Sequence, residues 1–459
     1  MRRLLILLSL LLGLSLQASA ETAVPRTSDE IALSFAPIVR EAAPAVVNIY
    51  ARQQVRDRIN PFAGDPFFDQ FFEGMNGPAR MENALGSGVI VSTDGLVVSN
   101  YHVITDATDI RVVLADRREY AARVLLVDPQ SDLAVLKVEA DADLPALPIG
   151  DSEALQVGDL VLAIGNPFGV GQTVSSGIVS GLARSALQVG DGTGYFVQTD
   201  APINPGNSGG ALVDMAGRLV GINTAILTRD GGSNGIGFAV PSNLVAAVVA
   251  QAQAGAVQFS RPWAGLSGQE VDGSVAEALG MDRPVGVMIT AMHPQSPFAA
   301  AGLSEGDVVL SMGGAPINTP QEFLYRLSVV GSGVQPVTYL QNGIKGEADV
   351  TLGLAPDLPD RETVTVTEDV ILRGATLVRI NPAVIGELRL PLDATGVAVM
   401  ATEGFAFDVG LQAGDVMVAI NGVPVATPSE ALTVARQPAR RWQIDLIRQG
   451  EPVRLRFRL

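Results

Sequence analysis

The sequence predicts a mainly β protein built from several domains, and three observations support this. Short β-rich segments punctuated by glycine and proline fill residues 46 to 240 without alternating long helices, which favours a β barrel or sandwich over a parallel α/β sheet. The last third of the chain contains an internal duplication. The length of 459 residues and the hydrophobic content of 47% allow about three packed domains.

Composition excludes several classes of function. The net charge of −17 gives an acidic surface that repels phosphate, so we expect no nucleic-acid binding. The absence of cysteine from the sequence excludes disulfides, zinc–thiolate sites and cysteine nucleophiles. Only two histidines are present, so a mechanism that needs imidazole has very few positions available.

The first twenty residues have the pattern of an export signal. Arg2-Arg3 gives a positive start, Leu4–Leu16 is apolar but too short to span a bilayer, and Ala18-Ser19-Ala20 is a cleavage motif. We therefore expect a signal peptide over 1–20, a mature chain from Glu21, and no integral membrane span. A retained membrane anchor is the alternative. Export without disulfides fits a bacterial periplasm.

Helices and strands can be placed in order along the chain. Thr27-Ser28-Asp29-Glu30 has the pattern of a capping box, and Ile31, Phe35, Ile38 and Val39 then share one helical face. Pro241-Ser242 opens a second helix that ends near Gly255. Strands are predicted at 46–50, 88–91, 110–114, 160–164 and 219–223.

The duplication defines two small domains. The motif G-L-x-x-G-D-V occurs at 302–308 and again at 410–416, and each copy is followed by a second glycine turn and a proline. We expect two copies of one domain, over 262–355 and 366–459, after a first domain that spans 21–258. The segments 251–261 and 355–360 have the character of linkers. Two copies are too few for a solenoid, which needs about three.

The sharpest chemical signal is Gly206-Asn207-Ser208-Gly209-Gly210. A serine hydroxyl becomes nucleophilic when a base removes its proton and donors hold the developing oxyanion. Glycine before the serine lets the backbone aim the N–H groups of Gly206 and Ser208 at one place, and the glycines after it let a substrate approach. A structural turn of glycine and serine is the alternative.

The candidate base is His102, because His293 is the only other imidazole in the sequence. Asp132 comes directly before the apolar run 133–136 and can orient the ring; a surface histidine and a turn aspartate are the alternatives. The chain order His, Asp, Ser is that of chymotrypsin-type enzymes, which are built on paired β-barrels. The pentapeptide around Ser208 also fits the G-x-S-x-G pattern of α/β-hydrolases. In that class the acid and the histidine follow the serine, so this alternative would need His293.

The chain resembles the bacterial HtrA (Deg/Do) family of serine proteases over essentially its full length. This resemblance implies a chymotrypsin-like double-β-barrel protease domain followed by two PDZ domains. It also implies an ATP-independent periplasmic endopeptidase that acts on unfolded or misfolded polypeptides, with chaperone activity, as a homotrimer or a multiple of it. The motifs that carry the resemblance are Gly86-Ser87-Gly88-Val89-Ile90, Ser99-Asn100-Tyr101-His102-Val103, Ser131-Asp132-Leu133-Ala134-Val135-Leu136-Lys137, Ile164-Gly165-Asn166-Pro167-Phe168-Gly169 and Gln198-Thr199-Asp200-Ala201-Pro202-Ile203-Asn204-Pro205-Gly206-Asn207-Ser208-Gly209-Gly210.

The resemblance assigns roles to individual residues. Ser208 would be the nucleophile, His102 the general base and acid, and Asp132 the carboxylate that orients the ring, so that neither a metal nor an organic cofactor is needed. The segment that lines the oxyanion hole would be Gly206, Asn207 and Ser208. The residues that match the specificity pocket are Ile203, Ile226 and Ile236, whose branched walls favour cleavage after Val, Ala or similar residues; core packing is the alternative for each.

The same resemblance locates a peptide site and two loops. The segment Trp263-Ala264-Gly265-Leu266 matches a loop that binds peptide C-termini, whereas its degenerate counterpart Arg373-Gly374-Ala375-Thr376-Leu377 leaves peptide binding open and points to assembly. The phenylalanine-rich stretch Asp65–Phe72 resembles a long regulatory loop, about 53–83, which can block a neighbouring subunit; a plug within one subunit is the alternative. The segment 230–235 lacks the glutamate of a calcium loop and fits a loop beside the pocket.

Two positions depart from the family pattern, and two other functions stay open. Tyr101 stands where asparagine is usual, and Pro202 replaces a common alanine; neither belongs to the triad. The second function is a PDZ-bearing chaperone or binding protein with a dormant protease domain. The third is an esterase of the α/β-hydrolase class that uses His293.

Overall fold

The computed structural model of the protein describes residues 34–54, 81–166, 171–184, 188–189, 192–204, 206–226 and 235–458. The predicted signal peptide, the phenylalanine-rich stretch 65–72 and most of the predicted loops at 53–83 and 230–235 lie outside these residues. Within the described ranges, no helix combines the length and the apolar character that a membrane span requires.

Six antiparallel strands close into a first barrel, in the order β1-β2-β3-β6-β5-β4. Residues that alternate along these strands fill its interior, among them Ile49, Ile90, Val97 and Leu136. The elements are α1 (Ala36–Ala42), a short 3-10 helix (Ala43–Ala45), β1 (Val46–Gln54), β2 (Met81–Ser92), β3 (Leu96–Ser99), α2 (Tyr101–Ile104), β4 (Ala107–Val113), β5 (Glu119–Asp128) and β6 (Leu133–Val138).

The predicted N-terminal helix is wrong where it runs through Ser34 and Phe35, which lie outside α1. The helix begins at Ala36, with Pro37 in its first turn. Proline is tolerated there because the first N–H groups of a helix have no partner within it. Ser34 Oγ accepts a hydrogen bond of 3.1 Å from the Ala36 N–H, which helps to define this start.

Six further strands close into a second barrel, in the order β11-β14-β13-β12-β7-β8. The helix predicted after Pro241 is present as α3, and one hydrophobic core joins this helix to both barrels: Leu244 and Val248 pack with Val46 and Ile222. The elements are β7 (Leu160–Gly165), β8 (Thr173–Arg184), β9 (Gln188–Val189), β10 (Gly192–Thr193), β11 (Phe196–Thr199), β12 (Ala211–Val213), β13 (Leu219–Ile226), β14 (Gly237–Pro241) and α3 (Ser242–Gln253).

Two small sheets follow, one for each copy of the duplicated motif, with the strand orders β15-β16-β17-β19-β20 and β21-β22-β23-β24-β26-β27. The first unit contains β15 (Leu266–Glu270), α4 (Gly273–Ala278), β16 (Val287–Met292), α5 (Pro297–Ala300), β17 (Val308–Met312), β18 (Ala315–Pro316), α6 (Pro320–Val330), β19 (Gly333–Gln341) and β20 (Ile344–Leu352). The second contains β21 (Val364–Thr365), β22 (Ala375–Arg379), α7 (Pro382–Leu388), β23 (Val397–Thr402), α8 (Gly404–Asp408), β24 (Val416–Ile420), β25 (Val423–Pro424), α9 (Pro428–Ala435), β26 (Arg441–Arg448) and β27 (Glu451–Arg458).

The repeated motif encodes the same tight turn in both units. Asp307 Oδ2 accepts from the Ser304 N–H at 2.7 Å, and Asp415 Oδ2 accepts from the Gln412 N–H at 2.9 Å. The glycine before each aspartate has a positive φ, 90° in Gly306 and 89° in the second copy, which favours glycine. The aspartate and the glycine are therefore required by the backbone of this turn.

The first small unit packs against the two barrels. Tyr325 of α6 stacks on Tyr195 with ring centroids 4.0 Å apart. Arg261, in the segment that leads to this unit, forms two hydrogen bonds of 3.0 and 2.6 Å with the buried carboxylate of Asp128, and its Nε donates to Ser328 Oγ at 3.0 Å. These contacts connect α6 to the end of β5.

Replacing Asp415 with alanine should destabilise the second small unit. Asp415 is buried and pairs with Arg448 through two hydrogen bonds of 2.7 and 2.8 Å, so the variant loses the turn contact and leaves the arginine unpaired. We expect a loss of about 3 kcal/mol, near the lower end for breaking a buried pair. Urea unfolding is followed by the fluorescence of Trp442, which lies in this core, in a Trp263→Phe background.

The matched control is Asp369→Ala in the same unit. Its side chain is 94% exposed and pairs with Arg373 at 2.7 Å, so its removal should change little. Equal midpoints for the two variants would contradict the role given to Asp415.

Candidate active site

His102 and Asp132 lie side by side because β3 and β6 are neighbouring strands. His102 follows β3 in α2, and Asp132 directly precedes β6. The ring Nδ1 lies 2.7 Å from Asp132 Oδ2, and the His102 N–H donates to Oδ1 at 2.9 Å. A carboxylate only accepts hydrogen bonds, so Nδ1 carries the proton. The other ring nitrogen, Nε2, is therefore the one that can act as a base.

The backbone of Asp132 is held in an unusual conformation. Its φ is 54°, in the left-handed region that non-glycine residues rarely adopt. Its carbonyl accepts from the Tyr101 N–H at 3.1 Å and from the Asn100 side chain at 2.9 Å. Tyr101, which stands where the family pattern has asparagine, therefore leaves this contact intact, because only its backbone takes part.

Thr224 is a site residue that the sequence reasoning missed. It lies in β13 of the second barrel, is buried, and donates its hydroxyl to Asp132 Oδ2 at 2.8 Å. The second barrel thereby completes the set of partners around a carboxylate of the first. A signal was present in the sequence, because Asn223 and Thr224 are polar residues within an otherwise apolar strand.

Ser208 also forms a hydrogen bond with Thr224. Its Oγ donates to the Thr224 carbonyl at 3.1 Å. Within the described residues, the Ser208 hydroxyl and the His102 ring share no hydrogen bond. The hydroxyl must therefore turn from this carbonyl toward the imidazole before it can transfer a proton.

The segment around Ser208 is a tight turn with two free donors. Gly206 has a φ of 92°. The Asn207 N–H donates to the Asn204 carbonyl at 2.9 Å, and the buried Asn207 side chain accepts from Thr173 Oγ1 at 3.0 Å. Neither the Gly206 nor the Ser208 N–H donates to any other described residue. Of the three residues predicted here, Asn207 supports the turn, and the other two have N–H groups available.

The three isoleucines predicted for the specificity pocket have different surroundings. Ile203 is buried in the core of the second barrel and lies close to Gly237, where an added Cβ would be 2.8 Å from Ile203 Cδ1. Ile236 is partly buried and packs against the core that the two barrels share. Ile226 ends β13, and its side chain lies outside the described part of the structure.

The loop before β15 has unused N–H groups at the edge of a sheet. Its carbonyls are tied inward, because Ala264 O accepts from Ser296 Oγ at 2.6 Å and Gly265 O accepts from the His293 N–H at 2.8 Å. The N–H groups of Ala264 and Gly265 donate to no other described residue. The Trp263 ring packs so closely on Gly265 that an added Cβ there would lie 2.6 Å from it. Leu266 begins β15, and no further strand among the described residues pairs with it on this side.

The second small unit differs at the corresponding edge. β21 pairs with β22, with Val364 opposite Leu377, and so covers the strand that is open in the first unit. The Gly374 N–H donates to Val366 O at 2.8 Å, and the Ala375 N–H donates to Leu372 O at 2.9 Å. The residues predicted as the degenerate loop therefore use these donors within the unit itself.

The pKa values of the two histidines are shifted in opposite directions. Burial lowers the pKa of His102, but the negative charge of Asp132 and its hydrogen bond outweigh burial, so the pKa is raised above its usual value. The neutral base is therefore lost as the pH falls through this raised pKa. Burial alone lowers the pKa of His293, which lies in the first small unit with its ring 5.4 Å from that of Trp263.

Two antiparallel barrels with this cluster between them define the class of trypsin-like serine proteases, and the family model described as the trypsin-like peptidase domain matches residues 86–222. This fold contradicts the α/β-hydrolase hypothesis, since that class is built on a parallel sheet and would need His293.

Relatives of known name match almost the whole chain. A probable periplasmic serine endoprotease, DegP-like, of Pseudomonas putida is 36% identical over 98% of this chain and 96% of its own length. The periplasmic pH-dependent serine endoprotease DegQ of Escherichia coli is 35% identical over 99% of both chains. The solved structure of the HtrA-type protease AlgW with a decapeptide is 38% identical, with a TM-score of 0.52, and covers 71% of this chain and 99% of AlgW. The chain belongs to the HtrA family of serine endoproteases, which confirms the resemblance predicted from its motifs.

Replacing Thr224 with valine should move the acid limb of the pH–activity profile to higher pH. The lost hydroxyl no longer shares the charge of Asp132, so the carboxylate stabilises the His102 imidazolium more and raises its pKa further. We expect the maximal kcat/KM to fall about tenfold, as for one hydrogen bond to a charged group. A chromogenic peptide assayed across the neutral pH range measures both effects.

Thr199→Val provides the matched control. Thr199 is also a buried threonine of the second barrel, and its hydroxyl donates to Ile178 O at 2.8 Å, away from Asp132. Its acid limb should stay where it is in the unmodified protein. An acid limb that does not move in Thr224→Val would remove Thr224 from the site.

Proposed function

We propose that this serine endopeptidase degrades unfolded or misfolded proteins in the periplasm without ATP, using Ser208, His102 and Asp132. The observation that supports this most directly is the chain of contacts from His102 to Asp132, from Asp132 to Thr224, and from Thr224 to Ser208. It joins the three predicted residues, which are far apart in sequence, at one junction between the barrels.

The proposed reaction is acyl transfer in two steps. The Ser208 hydroxyl turns to His102, which takes its proton at Nε2 as the oxygen attacks the scissile carbonyl. The carbonyl oxygen becomes an oxyanion, and the N–H groups of Gly206 and Ser208 are the donors available to it. Asp132 keeps the proton on Nδ1 and stabilises the imidazolium. The imidazolium then protonates the leaving amine, and water releases the acyl group by the same route, so no step calls for a metal or an organic cofactor.

The proposed substrates are extended polypeptides cut after small aliphatic residues. Ile203, Ile226 and Ile236 are the candidates for the pocket wall, and branched apolar side chains there would leave room only for a side chain such as that of Val or Ala. A solved structure of the related protease AlgW is one with a decapeptide.

We propose the domain division that the sequence suggested, with a protease domain over 21–258 and PDZ domains over 262–355 and 366–459. The signal peptide at 1–20 and a periplasmic location belong to the same proposal, supported by relatives that are named periplasmic. So does assembly as a homotrimer or a multiple of it.

A chaperone with a dormant protease domain is the second candidate. The bond from Ser208 Oγ to the Thr224 carbonyl favours it, because the hydroxyl in that position is not engaged by the base. The two candidates differ in whether the hydroxyl turns to His102 when a substrate is bound.

Replacing Ser208 with alanine distinguishes these functions. We expect hydrolysis of casein to fall by at least about 10³-fold, since the nucleophile is lost. His293→Ala is the control and should keep most of the activity on a short chromogenic peptide. Proteolysis that persists in purified Ser208→Ala would eliminate the proposed nucleophile, and an inactive unmodified protein that still prevents aggregation would support the chaperone.

Peptide binding through a C-terminal carboxylate should be confined to the first small unit, with one such site per chain. The free N–H groups of Ala264 and Gly265 can hold a C-terminal carboxylate beside the open edge of β15, whereas β21 covers the equivalent edge in the second unit. A fluorescent peptide with an apolar C-terminus is titrated into the Ser208→Ala protein, and amidation of the peptide should abolish binding.

Gly265→Ala should weaken this binding at least about tenfold, because the Trp263 ring must move from the loop. Gly280→Ala is the matched control: Gly280 also has a positive φ, of 68°, but an added Cβ meets nothing within 4 Å. Two carboxylate-dependent peptide sites per chain would contradict the covered edge.

A further inference from the structure

We propose that Ser87, in β2 of the first barrel, is a positioning residue that holds the oxyanion-binding segment of the second barrel in its active shape. The inference rests on the proposed role of Ser208 and adds a residue to which no catalytic role has been given above. Ser87 touches neither the reacting hydroxyl nor the imidazole. It acts through the backbone on both sides of Asn207.

The contacts of Ser87 reach two peptide groups of the catalytic turn. Its hydroxyl donates to the Gly206 carbonyl at 2.6 Å, and its N–H donates to the Ser208 carbonyl at 2.9 Å. Ser87 is completely buried. A single residue of the first barrel thus holds the carbonyls of Gly206 and Ser208, the two residues whose N–H groups are available to an oxyanion.

The direction of the Ser87 hydroxyl is itself fixed. Its oxygen accepts from the Asn166 N–H, just after β7, at 2.9 Å, so its single proton is left for the Gly206 carbonyl. The Ser87 carbonyl accepts from Ser99 Oγ at 2.7 Å. The packing is also tight: a Cβ added at Gly209 would lie 2.1 Å from the Ser87 carbonyl oxygen.

These contacts determine where the catalytic N–H groups point. Peptide groups are planar, so holding the Gly206 carbonyl fixes the plane between Gly206 and Asn207. Holding the Ser208 carbonyl fixes the plane that follows Ser208. The plane between these two carries the Ser208 N–H, and its Asn207 carbonyl accepts from the Gly210 N–H at 2.9 Å. Gly206 itself has a φ of 92° and no side chain to resist rotation, so the Ser87 hydroxyl restrains this turn together with the bond from the Asn207 N–H to the Asn204 carbonyl.

Ser87→Ala should therefore slow catalysis without weakening substrate binding. The oxyanion exists only in the transition state, so a misaligned donor raises the barrier and leaves the bound substrate unaffected. We expect kcat to fall between about tenfold and about 100-fold, less than the 10²–10³ for outright loss of an oxyanion donor. KM should change less than about twofold, in assays of the full chain on a chromogenic peptide.

An inhibitor provides a readout that a purely structural role would not change. A peptidyl aldehyde forms a tetrahedral adduct with Ser208 and presents an oxyanion, so its affinity should fall by the same factor as kcat. The affinity of the uncleaved peptide for the Ser87→Ala, Ser208→Ala double variant should match that for Ser208→Ala alone. Ser242→Ala is the control, because Ser242 is also buried and donates to a carbonyl, that of Gly150, at 2.8 Å; it should leave kcat and aldehyde affinity unchanged.

Two further variants keep the test decisive. Ser87→Thr retains the hydroxyl and should keep kcat within about threefold of the unmodified protein. If Ser87→Ala does not fold, Ser87→Cys has nearly the same size but a weaker donor, and its kcat should fall at least about tenfold. An unchanged kcat in a folded Ser87→Ala, with Ser208→Ala inactive, overturns this inference alone, whereas an active Ser208→Ala overturns the proposed function on which it rests.

Discussion

The structure of this site depends on one carboxylate. Asp132 is almost buried, and an ionised carboxylate in that position is stable only when its oxygens receive hydrogen bonds. It receives them from the His102 ring, the His102 N–H and the Thr224 hydroxyl. The first two come from the same barrel and the third from the other, so satisfying this one group brings the two barrels to a defined position. The left-handed φ of 54° at Asp132 is tolerated because its own carbonyl is held as well.

A second set of polar contacts, at Ser87, also links the two barrels. In one direction, a threonine of the second barrel completes the partners of an aspartate in the first. In the other, a serine of the first barrel holds the turn of the second. The hydrophobic core shared by the barrels and α3 holds the two barrels together. These polar contacts set how the barrels are aligned, because hydrogen bonds are directional whereas apolar packing is not.

Sequence reasoning proposed those members of the candidate site that are chemically scarce. His102 was identifiable because the chain has two histidines, and the order of His102, Asp132 and Ser208 separated a double barrel from an α/β fold. The repeated turn was identifiable because its glycine and aspartate are dictated by local backbone geometry. Thr224 and Ser87 were missed for the opposite reason. Serine and threonine are common in strands, and what distinguishes these two is a partner more than ninety residues away in each case.

Other misses have similar causes. The covered edge of the second small unit depends on β21, which has two residues and pairs only because the tertiary structure places it there. The N-terminal helix was predicted too long because its apolar spacing continued through Phe35, whereas Pro37 allows a helix to begin but not to pass through.

The attachment of the first small unit has a practical consequence for shortened forms of the enzyme. A protease domain trimmed before Arg261 would leave the carboxylate of Asp128 buried without its cation, four positions from Asp132, and would expose the face of Tyr195 to water. These structural changes can lower turnover by themselves. Loss of activity on truncation is therefore poor proof that the removed part was recruiting substrate, and point substitutions in the peptide loop answer that question more cleanly.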